Sequence, residues 1–175
     1  MKNIRSLVFY GNTLPLNNLR AYLFESLFVI LAVALPSVCH LLGAPVRYIL
    51  PMHWTVILAG LVYGWRGGAI AGFLSPVVSF LITGMPFLIS LVPMTAELFT
   101  YGLITGILVQ KIKMNSFASI AIALIIGRTI FLFIFIISNQ GIDISGYFMS
   151  AILPGLIIGL VQIISIPLIA KFWIK

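Results

Sequence analysis

The chain has 175 residues, 62% of them hydrophobic and 7% charged, with a formal net charge of +7 and a mean hydropathy of +1.22. A soluble domain carries about a quarter charged residues, so this chain lacks the polar surface to cover a water-soluble globule and reads as one all-α integral membrane domain over residues 1–175. The ten Lys and Arg form no basic run, which argues against a nucleic-acid partner, and a lone cysteine, Cys39, excludes an internal disulfide and a cysteine metal cage.

Residues 1–20 are mixed in character, and Ile4, Leu7 and Val8 follow helical spacing beside Lys2 and Arg5, a pattern suited to the membrane surface. Ala32-Val33-Ala34 has the small-x-small form of a cleavage site. The apolar run around it continues to Gly43, however, so cleavage is not expected. Span one is expected over 21–43. A Pro-containing connector, "GAPVRYILPMHW", leads into span two at 49–65 and span three at 67–84. Spans four, five and six follow at 91–110, 117–138 and 146–170. A bilayer core of about 30 Å needs about 20 helical residues, which leaves spans two and three short.

Six crossings with the N-terminus inside place Lys2, Arg5, Arg20, Arg66, Lys111, Lys113, Lys171 and Lys175 on the inner side. Only Arg47 falls outside, and Arg128 lies within span five. That bias predicts cytoplasmic N- and C-termini. A re-entrant hairpin of spans two and three would leave the later loops on the same sides. It would strand Arg66, at the "GWRGG" tip, in hydrocarbon at roughly 2.5–3.5 kcal/mol, so two true crossings are expected.

Gly60, Gly64, Gly68 and Gly72 recur at intervals of four about the Arg66 turn. Gly102 and Gly106 do so in span four, and Gly155 and Gly159 in span six. Small residues at this spacing let helix backbones approach closely in lipid. Pro36, Pro76 and Pro154 stand inside spans one, three and six as kink candidates.

Polar groups within a span are costly and are functional suspects. Glu97 lies six residues below the outer end of span four and Arg128 about ten below that of span five, roughly 9 and 15 Å deep. The two meet if these spans are neighbours, either as a buried ion pair pinning two helices or as part of a ligand site. Arg128 suits a carboxylate or phosphate through its planar fork. Helical spacing puts Met94, Glu97, Leu98 and Tyr101 on one face of span four, and Arg128, Leu132, Phe135 and Asn139 on one face of span five. Together they suggest an outward-opening pocket, mostly apolar with a few polar anchors. For Tyr101, core packing is the competing role.

His53 and Trp54 sit where the first outer connector meets span two. Trp54 suits an aromatic belt, and His53 suits a hydrogen-bonding role in a pocket lid. His40 is the only other histidine, too few for a metal or haem site. Gln162, deep in span six, reads by default as a helix–helix hydrogen bond. The sequence carries no phosphate-binding G-x-x-x-x-G-K-[ST] loop and no hydrolytic triad, so no cofactor and no catalysis are expected of this chain.

"LPMHWTVILAGLVYG", "GAIAGFLSPVVSFLITGMP", "PMTAELFTYGLITGIL", Gly127-Arg128 and "LPGLIIGLVQIISIPLI" resemble the substrate-binding S components of energy-coupling-factor (ECF) vitamin importers, over nearly all of 21–170. The resemblance implies a six-helix bundle in a prokaryotic plasma membrane that captures a micronutrient at its outer face. The partners it implies are a membrane scaffold (T) component and two ATP-binding-cassette ATPases, which use ATP and Mg. The family's Ala-x-x-x-Ala docking surface on span one is here Ala32-x-x-x-Pro36; Ala71, Ser75 and Ser79 on span three are the small residues available to supplement it. The competing readings are a structural or assembly subunit of a membrane complex and a small self-sufficient carrier.

Overall fold

A computed structural model describes residues 19–43, 45–138 and 153–173. They form α1 (Leu19–Leu41), a one-turn α2 (Val46–Ile49), α3 (Pro51–Thr83), α4 (Leu88–Gln110), α5 (Ser116–Ser138) and α6 (Leu153–Trp173). Among the described residues, five helices are long and apolar enough to cross a membrane: all but α2.

The 33 residues of α3 would run about 50 Å if straight, well beyond a bilayer core of about 30 Å. They do not run straight. Gly64 has φ 73° and ψ −163°, a region open essentially to glycine, and the chain folds back there. Met52 and His53 at one end of α3 line the same cavity as Ser79 and Thr83 at the other. The expected spans 49–65 and 67–84 are therefore two arms of one segment, 51–63 and 65–83. The turn falls at Gly64 and not at Arg66, because Gly64 carries the positive φ.

Both arms embrace α4. A β-carbon added at Gly60 would stand 2.7 Å from the Gly102 carbonyl oxygen, and one at Gly68 would overlap the Gly102 backbone. Gly72 abuts Leu98 and Phe99, while Gly106 abuts Gly64 and Trp65. The four-residue glycine spacing is thus used for backbone contact, as small residues serve in lipid, where no hydrophobic force draws helices together. Trp65 N–H donates to Gln110 Oε1 at 3.4 Å, which ties the turn to the last residue of α4.

Phe28 of α1 meets Tyr63 edge-on, with ring centroids 5.9 Å apart. Phe28, Ala32, Val56, Ile57, Leu98, Tyr101, Ile120 and Ile166 join α1, α3, α4, α5 and α6 in one core. Some buried hydroxyls satisfy themselves locally: Ser75 donates to Ala71 O at 2.6 Å and Thr100 to Ala96 O at 2.7 Å. The opposite faces of α1, α5 and α6 expose large apolar side chains such as Leu23, Ile30, Phe133, Ile136, Ile164 and Phe172. A belt of that extent belongs in lipid, not in water.

Several expectations are corrected. Ala32, Ala71 and Ser75 are fully buried within the chain's own fold, and Ser79, nearly so, lines a cavity, so none of them offers exposed surface for another protein to dock on. The helix expected over 91–110 begins earlier, at Leu88, which puts Pro93 in its second turn; Pro167 is interior to α6. Pro154, expected inside span six, stands in the first described turn of α6. Residues 146–152 of the expected sixth span lie outside the described residues.

Candidate binding site

The site is built around a buried carboxylate. Glu97, on the face of α4 turned toward α3 and α5, is 1% exposed. Tyr101, one turn further along α4, donates its hydroxyl to Glu97 Oε1 at 2.5 Å. Arg128 Nη1 of α5 reaches the same oxygen at 3.2 Å. His53 Nε2 of α3 stands 3.8 Å from Oε2, beyond hydrogen-bond reach. The His53 and Tyr101 rings lie 5.4 Å apart. Three elements thus contribute side chains to one carboxylate, which in a low-dielectric interior needs such partners to remain charged.

Close backbone packing sets this geometry. Gly127 precedes Arg128, and a β-carbon there would overlap the Tyr101 ring. The missing side chain lets α5 approach α4 closely enough for Arg128 to reach Glu97. On the far side, Arg128 Nη2 would stand 2.9 Å from a β-carbon at Gly155, so the guanidinium bridges α4 and α6. It also lies 5.7 Å from the Phe131 ring centroid.

Two cavities flank the cluster, and His53 lines both. The first, about 740 Å³, lies among the end of α1, both ends of α3 and the start of α4, with Met52, Met94, Ser79 and Phe87 in its wall. The second, about 520 Å³, lies between α5 and α6, with His53, Tyr101, Arg128, Thr129 and Gln162 as polar groups in a mostly aliphatic wall that includes Leu50, Leu124 and Leu132 and, at its open side, Ile125 and Leu160. Leu50 adopts the left-handed conformation (φ 50°, ψ 51°) as the cap between α2 and α3, a conformation uncommon for a leucine. It lines both cavities.

The structure therefore brings His53, Glu97, Tyr101 and Arg128 together and leaves other candidates apart. Met94 faces the first cavity. Trp54 lines neither; its indole N–H donates to Ile49 O at 3.0 Å and so staples α2 to α3. Phe135 lines neither and stacks on Phe131 at 5.6 Å. Glu97 itself lines neither cavity. Asn139 lies outside the described residues.

Two polar residues gain a significance that sequence reasoning missed. Glu25 of α1 is 2% exposed, and neither of its carboxylate oxygens has a hydrogen-bond partner among the described residues; it faces Gly67. One of three acidic residues in the chain, it stands within an apolar span, the same signal that singles out Glu97. Gln162 lines the second cavity, where helical pattern alone suggests a helix contact.

The family model described as "ECF transporter, substrate-specific component" matches residues 22–172, most of the chain and all of the helices that form the site. The chain belongs to this family: it is a multi-pass membrane protein and a substrate-specific component of an ECF transporter. No curated protein and no solved structure matches it significantly.

Proposed function

We propose that the protein captures a small anionic micronutrient in the cavity between α5 and α6, open toward the outer face, and passes it inward with a membrane scaffold component and two ATP-binding-cassette ATPases of a prokaryotic plasma membrane. One observation carries this reading: the Arg128 guanidinium, anchored from behind by a buried carboxylate, is the one charged group among the described residues lining a mostly aliphatic cavity. A planar fork held in this way is preorganised for a carboxylate or phosphate. Tyr101 and His53 are the flanking polar groups. Glu97, enclosed by all three, acts as a positioning residue and does not touch solute. ATP hydrolysis belongs to the partner ATPases, and this chain catalyses nothing.

Six crossings with both termini cytoplasmic follow from the same reading. The fold-back at Gly64 is level with the end of α4, and Trp65 lies against both Arg66 and Lys111, at 5.2 and 5.0 Å. This supports placing all three residues at the inner surface, in keeping with the positive-inside bias.

Native mass spectrometry of protein purified from cells grown in rich medium tests the function. A copurified anionic molecule is expected, lost in Arg128→Met and weakened by at least about tenfold, or 1.4 kcal/mol, in Glu97→Gln. Absence of any copurified molecule, with no binding tighter than micromolar across a vitamin panel, would reject capture. Unchanged affinity in both variants, with lowered thermal stability, would make the pair purely architectural.

A further inference from the structure

The second cavity has two polar ends. At one end Arg128 sits against Gly155; at the other is Gln162, seven residues along α6 and on the same helical face, as is Gly159 between them. Seven residues of helix separate the two ends by roughly 10 Å. The facing wall runs in register on α5: Arg128 opposite Gly155, Leu124 opposite Gly159, where a β-carbon would stand 3.6 Å from Leu124 Cδ1, and Ala121 toward Gln162. The two glycines let α5 and α6 meet at these points, and beside the line of contact runs an elongated groove with Thr129 near Arg128 and a wall of aliphatic side chains, Ile125, Leu156 and Leu160 among them.

Gln162 is 1% exposed, and its amide nitrogen has no hydrogen-bond partner among the described residues. A buried amide donor left unmet is destabilising, and this one stands in the wall of the cavity. We infer that Gln162 is a specificity-determining residue, and that the solute is an elongated amphipathic anion: an acidic group at Arg128, an apolar body along the aliphatic wall formed by Leu124, Leu156 and Leu160, and a hydrogen-bond acceptor at the far end for the Gln162 amide. This rests on the capture reading above and adds the length and far-end chemistry of the ligand. A site built to hydrogen-bond a polar group rejects the analogue that lacks it far more strongly than an apolar pocket rejects a missing methylene.

The test is a titration series on the purified full chain in nanodiscs of zwitterionic lipid. The probes are straight-chain carboxylates from hexanoate to dodecanoate and, at each length, the analogue ending in a primary amide. Wild type is expected to bind the amide-ended probe at least about tenfold more tightly than the plain carboxylate, with a single optimal length. Gln162→Leu should abolish that preference while plain carboxylates still bind, and Gly159→Ala should shorten the optimal length. Gly159→Ala meets only Leu124 at ordinary contact distance, so it tests the groove without relying on the Gln162 variant's folding. No end-group preference in wild type, a preference that survives Gln162→Leu, or no binding by any probe overturns the inference. Displacement of the probes when the nanodiscs contain phosphatidylglycerol would identify the occupant as an anionic lipid and overturn it too. If binding depends on Arg128 but not on Gln162, this inference alone falls; if Arg128→Met also binds unchanged, the capture site falls with it.

Discussion

At the scale of single residues, the decisive feature is the division of labour around Glu97. Its carboxylate holds the Tyr101 hydroxyl and the Arg128 guanidinium at 2.5 and 3.2 Å, while Arg128 and Tyr101 also line the cavity. Removing one member of a buried pair leaves the other uncompensated, at a typical cost of about 3–5 kcal/mol. Arg128→Met and Glu97→Gln should therefore each lower the thermal unfolding temperature in detergent. The double variant should lose clearly less than the sum, because neither charge then remains alone. Additive losses would show that the two groups do not stabilise one another. Rarity makes Glu97 and Arg128 legible in sequence, since each is an isolated charge in an apolar span. Glu25 meets the same criterion and is as informative. Gln162 is visible as a residue, but its role is not: helical spacing says which residues share a face, not whether that face meets a helix or a cavity.

At the scale of elements, glycine placement governs packing. Gly102 contacts the backbone of both arms of α3, at Gly60 and at Gly68. Alanine there gains up to about 1 kcal/mol of helix propensity but puts a methyl group into backbone that cannot rotate away. Such overpacking costs about 1–3 kcal/mol. Gly102→Ala is expected to be destabilised and Gly102→Leu to fail to assemble, read by thermal unfolding and by size-exclusion profile. A Gly102→Leu variant as stable as wild type would refute the close three-way contact. The spacing of four announces such packing in sequence. It does not distinguish Gly64, whose φ of 73° makes it the turn itself, because a glycine for contact and a glycine for conformation are the same letter. Phe135 lines neither described cavity for a related reason: its helical face is shared between the groove, which Leu132 lines, and the Phe131 stack.

At the scale of the whole molecule, composition and charge bias carry most of the architecture: an all-helical membrane bundle follows from hydrophobicity alone. Exact helix ends are less legible, because apolar residues continue through the turns, as at 84–87 between α3 and α4. Sidedness can be checked directly. With Cys39→Ser as background, cysteines placed at Arg66 and Lys113 should react with a membrane-impermeant thiol reagent only in inside-out vesicles. A cysteine at Phe87, 66% exposed at the start of α4, should react only in right-side-out ones. Labelling of positions 66 and 113 from opposite sides would exclude the second and third crossings.

The fold-back at Gly64 also has a mechanical meaning. A joint of one residue has no slack: its two rods cannot separate without tearing their backbone contacts with α4, and Gln110 latches the joint to the end of that helix. The two arms and α4 therefore form a keel that turns as one rigid piece. Any motion that widens the groove must come from α5 and α6 sliding over that keel, with Arg128 as the rivet about which they pivot.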